Sequence, residues 1–427
     1  MLICGHDRLK LLRMNPFDPA GDPNLRSPPF RRNSMDYQAL LADRTELMKA
    51  NAIREILKVV ARPGVVSLAG GIPSPESFPM EIFRELTDKV LTKYSSGAFQ
   101  YDLTEGFLPL REQVSVLLES RGIKTPPDAV NITSGSQGVL DAIAKLLISK
   151  GDKIALEAPT YLGALSAFNP YEPTYVRMDM DDDGLIPESL EATLKTHKIK
   201  FIYLVPTFQN PTGRTITLDR RIKIADIIKK YNALLVEDDP YSALRYKGEN
   251  LPAIKTMAED HVIYVSTLSK IFAPGLRIGF YAAPEFLRKW LVLVKQGIDL
   301  HTSTFNQALA AEYLEGNYLS THLPKIISLY KPKQAAMMSA INEHLPKEFV
   351  CSPSDGGMFL WVKGPEGFDM IRLYHKAIEN GVAFVPGKFF FTDETEGIET
   401  MRLNYTMADE KTIQTAIGKL ADTILAL

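Results

Sequence analysis

Several features that would define a class of function are scarce or missing in this chain of 427 residues. It contains two cysteines, Cys4 and Cys351, which cannot form a disulfide framework. Its seven histidines are scattered, without an H-E-x-x-H pair or a cysteine–histidine cluster of zinc spacing, so we expect no metal site. No apolar run approaches the ~18 residues that a membrane-spanning helix needs.

The charge of the chain also argues against large charged partners. Its 49 basic and 51 acidic residues leave a formal net charge of −2. This balance does not favour a nucleic-acid-binding surface or a polybasic membrane patch. The N-terminus, MLICGHDRLKLLRM, interrupts its apolar start with charged residues and lacks the apolar core of a signal peptide. We therefore expect a cytoplasmic protein that binds neither nucleic acid nor a membrane.

The chain divides into segments of different character. Residues 15–34 are rich in Pro, Asn, Asp and Arg and poor in aliphatic residues, and we predict that residues 1–34 form a flexible leader. A helical pattern begins at Met35 and stops before Arg62. Beyond it, short β-branched runs alternate with helical stretches, which is typical of an α/β domain with a mainly parallel sheet. A long helical pattern over about 321–344 then leads into a smaller α+β arrangement.

These changes of pattern predict the domain organisation. We expect a leader at 1–34, an N-terminal segment joining the small domain at 35–85, a large domain at 86–320 and a small C-terminal domain at 321–427. We find no internal repeat. No G-x-G-x-x-G follows a predicted strand, and this weakens the case for a dinucleotide-binding domain.

The residues that follow each predicted strand are the first candidates for a site, because ligands of open α/β sheets bind beyond the carboxyl ends of the strands. Gly135, Ser136 and Gln137 open a helix after the strand AVNIT. This arrangement suits an anion, but it is also typical of a simple helix cap. Tyr161 follows the next strand and taken alone is explained as a packing residue. Asn210 begins an Asn-Pro turn, which is structural by itself.

Charged residues follow the later strands. Asp238 lies in an acidic run after the apolar strand ALLV, and one acid of that run is expected to point into the ligand crevice rather than into solvent. Lys270 follows the strand HVIYV, and Arg277 comes shortly after it. A lysine at this place is either a surface residue that keeps its ammonium group in water or a functional group.

Taken together, these residue types suit one ligand. An anion-binding turn with an arginine suits a phosphate, which arginine binds through two parallel hydrogen bonds. A carboxylate suits a protonated ring nitrogen, and an aromatic side chain suits a flat ring. A lysine in a site short of water has a lowered pKa and can form a Schiff base. Pyridoxal 5′-phosphate combines the phosphate, the basic ring and the aldehyde, so we predict that Lys270 binds this cofactor.

Eight motifs then connect the chain with a known family. They are SLAGGIPSPESFP, FQYDLTEGFLPLRE, TSGSQG, EAPTY, QNPTG, EDDPY, STLSKIFAPGLRIG and MRLNY, in the order of the family. From Met35 to its end, the chain resembles the fold-type I, class I/II pyridoxal-phosphate aminotransferases, in particular the kynurenine/2-aminoadipate aminotransferase group. The resemblance implies an α/β large domain with a mainly parallel seven-stranded sheet, which binds the cofactor. It also implies a smaller α+β domain and a homodimer with shared active sites.

The resemblance also implies roles for single residues. Lys270, Asp238 and Tyr161 are implied to be catalytic: Lys270 forms the internal aldimine and moves a proton, Asp238 pairs with the ring nitrogen and Tyr161 stacks on the ring. The implied cofactor-binding residues are Gly135, Ser136, Gln137, Tyr161, Asn210, Asp238, Tyr241, Thr267, Ser269, Lys270, Arg277 and, from the neighbouring subunit, Tyr101. The implied substrate-binding residues are Arg402, Asn210, Gly71 and Arg54.

The implied reaction is a ping-pong transfer of the amino group of an α-amino acid to a 2-oxoacid. 2-Oxoglutarate is the expected acceptor, and 2-aminoadipate, an aromatic or a branched-chain amino acid is the expected donor. A β-lyase or decarboxylase reaction is compatible with the same cofactor residues. A ligand-sensing domain of a transcription regulator is disfavoured, because the stretch before Met35 is too short and proline-rich for a winged helix. Arg54 either binds a second substrate carboxylate or lies on a solvated helix face.

Overall fold

The structure, a computed structural model, describes residues 35–48 and 64–427 with the exception of residue 394. Within 35–48 it shows two short 3-10 helices, Gln38–Leu40 and Asp43–Leu47, where the sequence pattern predicts the start of a continuous α-helix. Neither turn contains a buried residue, and a helix without tertiary packing is marginal in water. The rest of that predicted helix, with Arg54, lies outside the described residues, as does the leader.

The strands are short and are spread over the whole described chain. In chain order they are β1 (Val66–Ser67), β2 (Val130–Ser134), β3 (Lys153–Glu157), β4 (Thr174–Met178), β5 (Met180–Asp181), β6 (Gly184–Leu185), β7 (Ile199–Leu204), β8 (Leu235–Asp238), β9 (Val262–Thr267), β10 (Ile278–Ala282), β11 (Val350–Cys351), β12 (Phe359–Lys363), β13 (Val382–Ala383), β14 (Val385–Pro386) and β15 (Thr400–Asn404).

The α-helices alternate with the strands of the first half and dominate the second. In chain order they are α1 (Met80–Tyr94), α2 (Leu108–Glu119), α3 (Ser136–Leu147), α4 (Leu162–Phe168), α5 (Pro187–Thr196), α6 (Leu218–Lys230), α7 (Glu285–Gln296), α8 (Thr304–Glu315), α9 (Tyr318–His344), α10 (Met370–Glu379) and α11 (Glu410–Leu425). The helix predicted over 321–344 is α9, which begins three residues earlier at Tyr318.

The main sheet has seven strands in the order β2-β10-β9-β8-β7-β3-β4. Strand β10 runs antiparallel to both of its neighbours, and the other neighbouring pairs are parallel. The strands β2, β3, β7, β8 and β9 therefore all end at one edge of the sheet. The prediction of a mainly parallel seven-stranded α/β sheet is confirmed.

The inner strands of this sheet are mostly apolar because both of their faces are buried. Alternate residues of β7 belong to different clusters: Phe201 and Tyr203 pack in the main core, whereas Ile202 and Leu204 pack in a second one. The second core is covered by α5 and α6 through residues such as Leu190 and Ile224. Burial on two sides gives a rigid frame from which the strand-end residues project.

A second sheet of four strands, β11-β12-β15-β14, is antiparallel throughout. The segment after residue 64 joins this part of the chain, since β1 pairs in parallel with β13 through Val66 with Val382 and Ser67 with Ala383. This pairing carries residues 69–71 towards Arg402 of β15. The predicted domain limits at 85/86 and 320/321 stay a prediction. None of the helices in the described ranges is long and apolar enough to cross a membrane.

Candidate active site

Asp238 forms the floor of the candidate site. It is the last residue of β8, the central strand of the main sheet, and it is buried. Its Oδ2 accepts a hydrogen bond from the hydroxyl of Tyr203 at 2.8 Å. Its Oδ1 is buried and has no hydrogen-bond partner among the described residues. Burial raises the pKa of Asp238 to about 7, although the Tyr203 bond acts in the opposite direction.

Lys270 lies in the turn that follows β9. Its Nζ donates to the carbonyl oxygen of Gly71 at 3.0 Å, so the ammonium points inward. Burial, together with the cations of Arg277 and Arg402, lowers the pKa of Lys270 to about 8. The alternative of a surface lysine with a solvated head group is therefore wrong. An amine with a lowered pKa is neutral in a larger fraction of molecules and is a better nucleophile.

Small residues and one arginine make a third part of the site, which we call the anion cradle: Gly135, Ser136, Thr267, Ser269 and Arg277. Ser136 is the first residue of α3, so free backbone N–H groups face outward here. The hydroxyls of Thr267 and Ser269 lie 2.8 Å apart. The guanidinium of Arg277 donates to the carbonyl oxygen of Ser134 at 3.3 Å. The cradle therefore offers several donors to one anion.

Gly135 has a φ of 79°, and a Cβ built on it would lie 2.3 Å from Nη2 of Arg277. Only a glycine combines this backbone conformation with such a close approach. Gln137, the remaining predicted residue of this turn, donates through Nε2 to the carbonyl oxygen of Gly163 at 2.7 Å. In the structure it therefore braces α3 against α4.

Tyr161 precedes α4 and lies on a second wall of the site. A Cβ on Gly163 would lie 2.3 Å from the Tyr161 ring, so the glycine makes room for the aromatic side chain. Burial raises the pKa of Tyr161 to about 12, and the charges of Asp238 and Arg402 also act on it. The side chain of Gln209 donates to the carbonyl oxygen of Pro159 at 2.8 Å and so ties the Tyr161 loop to the neighbouring Asn210 turn.

Asn210 and Arg402 connect the two sheets. Arg402 of β15 is buried and donates to Oδ1 of Asn210 and to the carbonyl oxygen of Ala69, both at 2.7 Å. Nδ2 of Asn210 donates to the hydroxyl of Tyr241 at 3.4 Å. The guanidinium of Arg402 lies over the ring of Phe359, 4.3 Å from its centroid. Burial lowers the pKa of Arg402 to about 10.

The structure thus brings together most of the residues that the sequence nominates. Gly71 belongs to the site through its carbonyl oxygen, which accepts from Lys270. Tyr101 does not lie among the buried site residues of this chain: it is 77% exposed, and its ring packs edge-on against His301. Arg54 lies outside the described residues.

Three contacts of the site were not predicted from the sequence: that of Tyr203 with Asp238, and those of Phe359 and Phe390 with Arg402. Tyr203 carries a hydroxyl in a buried run of β7 that is otherwise apolar, which is a signal that a partner is needed. The two phenylalanines carry no such signal, because an aromatic residue in a β-run is most simply explained as core.

These side chains fit pyridoxal phosphate on features of their own. The unpaired, buried Oδ1 of Asp238 matches a protonated ring nitrogen, since a buried carboxylate oxygen needs a donor. The anion cradle matches a phosphate, and Lys270 is an inward-facing amine. With a mainly parallel seven-stranded sheet beneath it, the site is that of a pyridoxal-phosphate enzyme of fold type I.

The comparisons with known proteins agree. Residues 65–420 match the family model "Aminotransferase class I and II". The aromatic-amino-acid aminotransferase 1 of Thermococcus litoralis is 45% identical over 400 residues, which cover 92% of this chain and 95% of that protein. The chain belongs to the class I and II aminotransferases.

Two solved structures show the same fold. The kynurenine aminotransferase of Pyrococcus horikoshii, in complex with PMP, has a TM-score of 0.88 at 42% identity and covers 92% of this chain and 98% of its own. The α-aminoadipate aminotransferase of Thermus thermophilus, complexed with N-(5′-phosphopyridoxyl)-L-leucine, has a TM-score of 0.85 at 34% identity and covers 92% and 99%. The protein is thus a pyridoxal-phosphate-dependent aminotransferase, and neither the lyase nor the sensor alternative is favoured.

Proposed function

We propose that Lys270 and Asp238 are the two catalytic residues at the centre of amino-group transfer. The observation that carries this assignment is the unpaired, buried Oδ1 of Asp238, which shares one site with an inward-facing lysine. When bound, pyridoxal phosphate supplies a carbonyl carbon that takes up the amino group and a protonated ring that withdraws electrons from the reacting carbon. Asp238 holds the proton on the ring nitrogen, because an ionised carboxylate stabilises a neighbouring cation.

Lys270 acts at its Nζ atom, first as the attachment point of the cofactor and then as the group that moves a proton. Its pKa of about 8 suits both roles near neutral pH. Its bond to Gly71 and the influence of both Arg277 and Arg402 on its pKa support a place for this amine within the site.

The other cofactor contacts follow from geometry and charge. Gly135, Ser136, Thr267, Ser269 and Arg277 hold the phosphate in the anion cradle. Tyr161 stacks on the ring, and Asn210 with Tyr241 donates to its 3′-oxygen, since the two side chains already meet at 3.4 Å. Gln137 supports this arrangement from α3.

Arg402 binds the α-carboxylate of the substrate. The guanidinium is buried and lies 4.3 Å and 5.0 Å from the ring centroids of Phe359 and Phe390, and its Nε has no hydrogen-bond partner among the described residues. A planar, fixed guanidinium suits two parallel hydrogen bonds to a carboxylate. We place Gly71 next to this carboxylate as well: a Cβ built on it would lie 3.2 Å from the ring of Phe359, which itself contacts Arg402.

The substrates that we propose are 2-oxoglutarate as acceptor and 2-aminoadipate, an aromatic or a branched-chain amino acid as donor, in a ping-pong sequence. Support for these donors comes from relatives named as aromatic-amino-acid aminotransferase, 2-aminoadipate transaminase and kynurenine aminotransferase. A second carboxylate on the donor needs a second cation, and the role of Arg54 in binding it stays a prediction. A cytoplasmic location also stays a prediction.

We further propose a homodimer in which Tyr101 completes the phosphate site of the neighbouring subunit. Its ring is 77% exposed, and the neighbouring Phe99 and Leu103 are 67% and 57% exposed. Three large apolar side chains so close in sequence are costly to leave in water. A second copy of the chain would cover them and place Tyr101 beside the partner's cofactor.

The experiment that tests the central proposal replaces Lys270. Lys270→Ala should lose the absorbance of the lysine-bound cofactor and all measurable turnover, because no other amine replaces Nζ at the site. Lys289→Ala, which removes a lysine exposed on α7, is the matched control and should keep both. Transaminase activity of Lys270→Ala close to that of the unchanged enzyme would overturn the assignment.

Complementation tests the shared site. A Tyr101→Ala chain and a Lys270→Ala chain, each inactive alone, should regain part of the activity when their subunits exchange. One of the two sites in such a mixed dimer has both intact residues. Exchange shown by mass spectrometry without any regained activity would place Tyr101 within its own chain's site.

A further inference from the structure

Two connections join the turn that carries Lys270 to residues 71–77, the stretch that precedes α1. The first is direct, from Nζ of Lys270 to the carbonyl oxygen of Gly71 at 3.0 Å. The second runs through two buried side chains outside the site, Tyr313 of α8 and His322 of α9. Neither residue has a part in the chemistry described above.

The second connection is a chain of hydrogen bonds. Nε2 of His322 lies 2.7 Å from the carbonyl oxygen of Ser77, and this nitrogen must carry the proton because a carbonyl can only accept. In the neutral ring Nδ1 is then an acceptor, and the hydroxyl of Tyr313 donates to it at 2.7 Å. The hydroxyl has a single proton, so it shares this proton with the carbonyl oxygen of Ile271, the residue after Lys270, at 3.3 Å in a three-centre hydrogen bond. Burial lowers the pKa of His322, which favours the neutral ring.

Tyr313 also holds the turn through its ring. The ring stacks on Phe272 with centroids 4.0 Å apart and an interplanar angle of 13°. Tyr313 therefore contacts both residues that follow Lys270, one through its hydroxyl and the other through its ring. His322 fixes the direction in which that hydroxyl points.

We propose that Tyr313, oriented by His322, is a positioning residue that holds the Lys270 turn against residues 71–77. This inference rests on the proposed role of Lys270. Once Nζ is covalently bound to the cofactor, it is no longer a free ammonium and its bond to Gly71 is weakened. The Tyr313–His322 connection uses only backbone carbonyls of Ile271 and Ser77, so it persists whatever the state of Nζ.

Tyr313→Phe tests the inference because it removes the hydroxyl and keeps the stacked ring. We expect kcat to fall about three- to tenfold, the range for the loss of one buried hydrogen bond, while KM for the amino donor changes less than twofold. The absorbance of the lysine-bound cofactor should titrate at a shifted pH. In the cofactor-free protein, amide hydrogen exchange of residues 268–272 should become faster.

Tyr330→Phe is the matched control. Tyr330 is also fully buried, and its hydroxyl accepts from the backbone N–H of Ser74, on the same stretch. Tyr330→Phe therefore removes a buried hydroxyl, as Tyr313→Phe does, and this hydroxyl bonds to the stretch 71–77, but the change leaves the contacts of Ile271 and Phe272 intact. It should lower the melting temperature to a similar degree and leave kcat, the titration of the absorbance and the exchange of 268–272 unchanged.

His322 provides the second arm. His322→Leu, which can neither donate nor accept, should lower kcat as much as Tyr313→Phe does. His322→Gln retains a donor and an acceptor and should keep most of the kcat of the unchanged enzyme. The effects of His322→Leu and Tyr313→Phe on the titration should not add in the double variant, since both break one chain. Equal effects of Tyr313→Phe and Tyr330→Phe, or additive effects in the double variant, would overturn the inference. A failure of the proposal for Lys270 is recognised separately: the Lys270→Ala variant would then keep the absorbance of the bound cofactor and its turnover.

Discussion

The floor of the active site and the anion cradle are proposed to bind opposite ends of one cofactor, and they use different chemical groups to do so. At the floor, Asp238 is 2% exposed, sits at the end of the central strand and has one oxygen without a partner in the described chain. At the cradle, the donors are backbone N–H groups at the start of α3, two hydroxyls and an exposed arginine. The floor carries a buried charge, and the cradle is formed by dipoles and a solvated cation.

The difference follows from what each end must do. Asp238 has to keep a ring nitrogen protonated, and a carboxylate exerts the strongest influence in a place from which water is excluded. A phosphate only has to be held, and several fixed donors achieve this without a buried charge. A change at the floor should therefore alter catalysis, whereas a change at the cradle should alter cofactor affinity.

The largest effect in this comparison is expected from Asp238→Asn. Asparagine has a similar shape but no charge, so the ring loses its proton and its capacity to withdraw electrons. We expect kcat to fall by about 100-fold or more, as for other losses of an electrostatic stabiliser in a buried site. Single-turnover rates at saturating cofactor, corrected for occupancy by absorbance, measure the effect. If the variant lost only cofactor affinity, the proposed role of Asp238 would be wrong.

Gly135→Ala tests the anion cradle. It should have a smaller effect, on cofactor affinity rather than on catalysis. A Cβ would lie 2.3 Å from Nη2 of Arg277 at a φ of 79°, so the guanidinium must move away. We expect cofactor affinity to fall about tenfold, a typical result of left-handed strain, with kcat at saturating cofactor nearly unchanged. Gly138→Ala, three residues along, is the control, because nothing described lies within 4 Å of its added Cβ.

The smallest effect concerns the stability of the cofactor-free protein. Because burial raises the pKa of Asp238 from 3.8 to about 7, the folded state keeps this proton at a pH where the unfolded chain has released it. The resulting stabilisation is complete below about pH 4 and is lost as the pH rises through about 7. As the pH rises, the free energy of unfolding of the unchanged protein should therefore fall by about 1–4 kcal/mol more than that of Asp238→Asn.

Urea unfolding of both proteins between about pH 4 and pH 8 measures this decline. Glu157 and Glu237, whose pKa values burial raises to about 8 and about 7, contribute equally to both proteins and give the common background. With the cofactor bound, the ring cation should abolish the contribution of Asp238. The same slope in Asp238→Asn and in the unchanged protein would show that Asp238 titrates normally.

Much of the fold and of the site could be predicted from the sequence. The alternation of apolar runs and helical patterns predicted the α/β sheet, since the period of apolar residues reflects which face of an element is buried. The site residues at the strand ends could be nominated because parallel strands end at one edge. The start of a continuous helix at Met35 was wrong in the described part, where Gln38–Leu40 and Asp43–Leu47 are short 3-10 helices without a buried residue.

Other features could not be predicted because they depend on contacts between distant segments. The Tyr203–Asp238 bond joins two strands whose adjacency is set by the order of the sheet. The position of Arg402 beside two phenylalanines and residue 69 requires the second sheet to meet a segment 333 positions away in the chain. The Tyr313–His322 connection likewise spans two helices and the stretch before α1.

The sequence by itself determined the chemistry, because a lysine, an acid, an arginine and small residues at strand ends are a matter of residue type and local order. Only the tertiary structure decided how strongly each group is perturbed. Burial, which no local pattern specifies, lowers the pKa of Lys270 to about 8 and raises that of Asp238 to about 7. Water is excluded from a side chain by every segment that packs around it, and these segments come from the whole length of the chain.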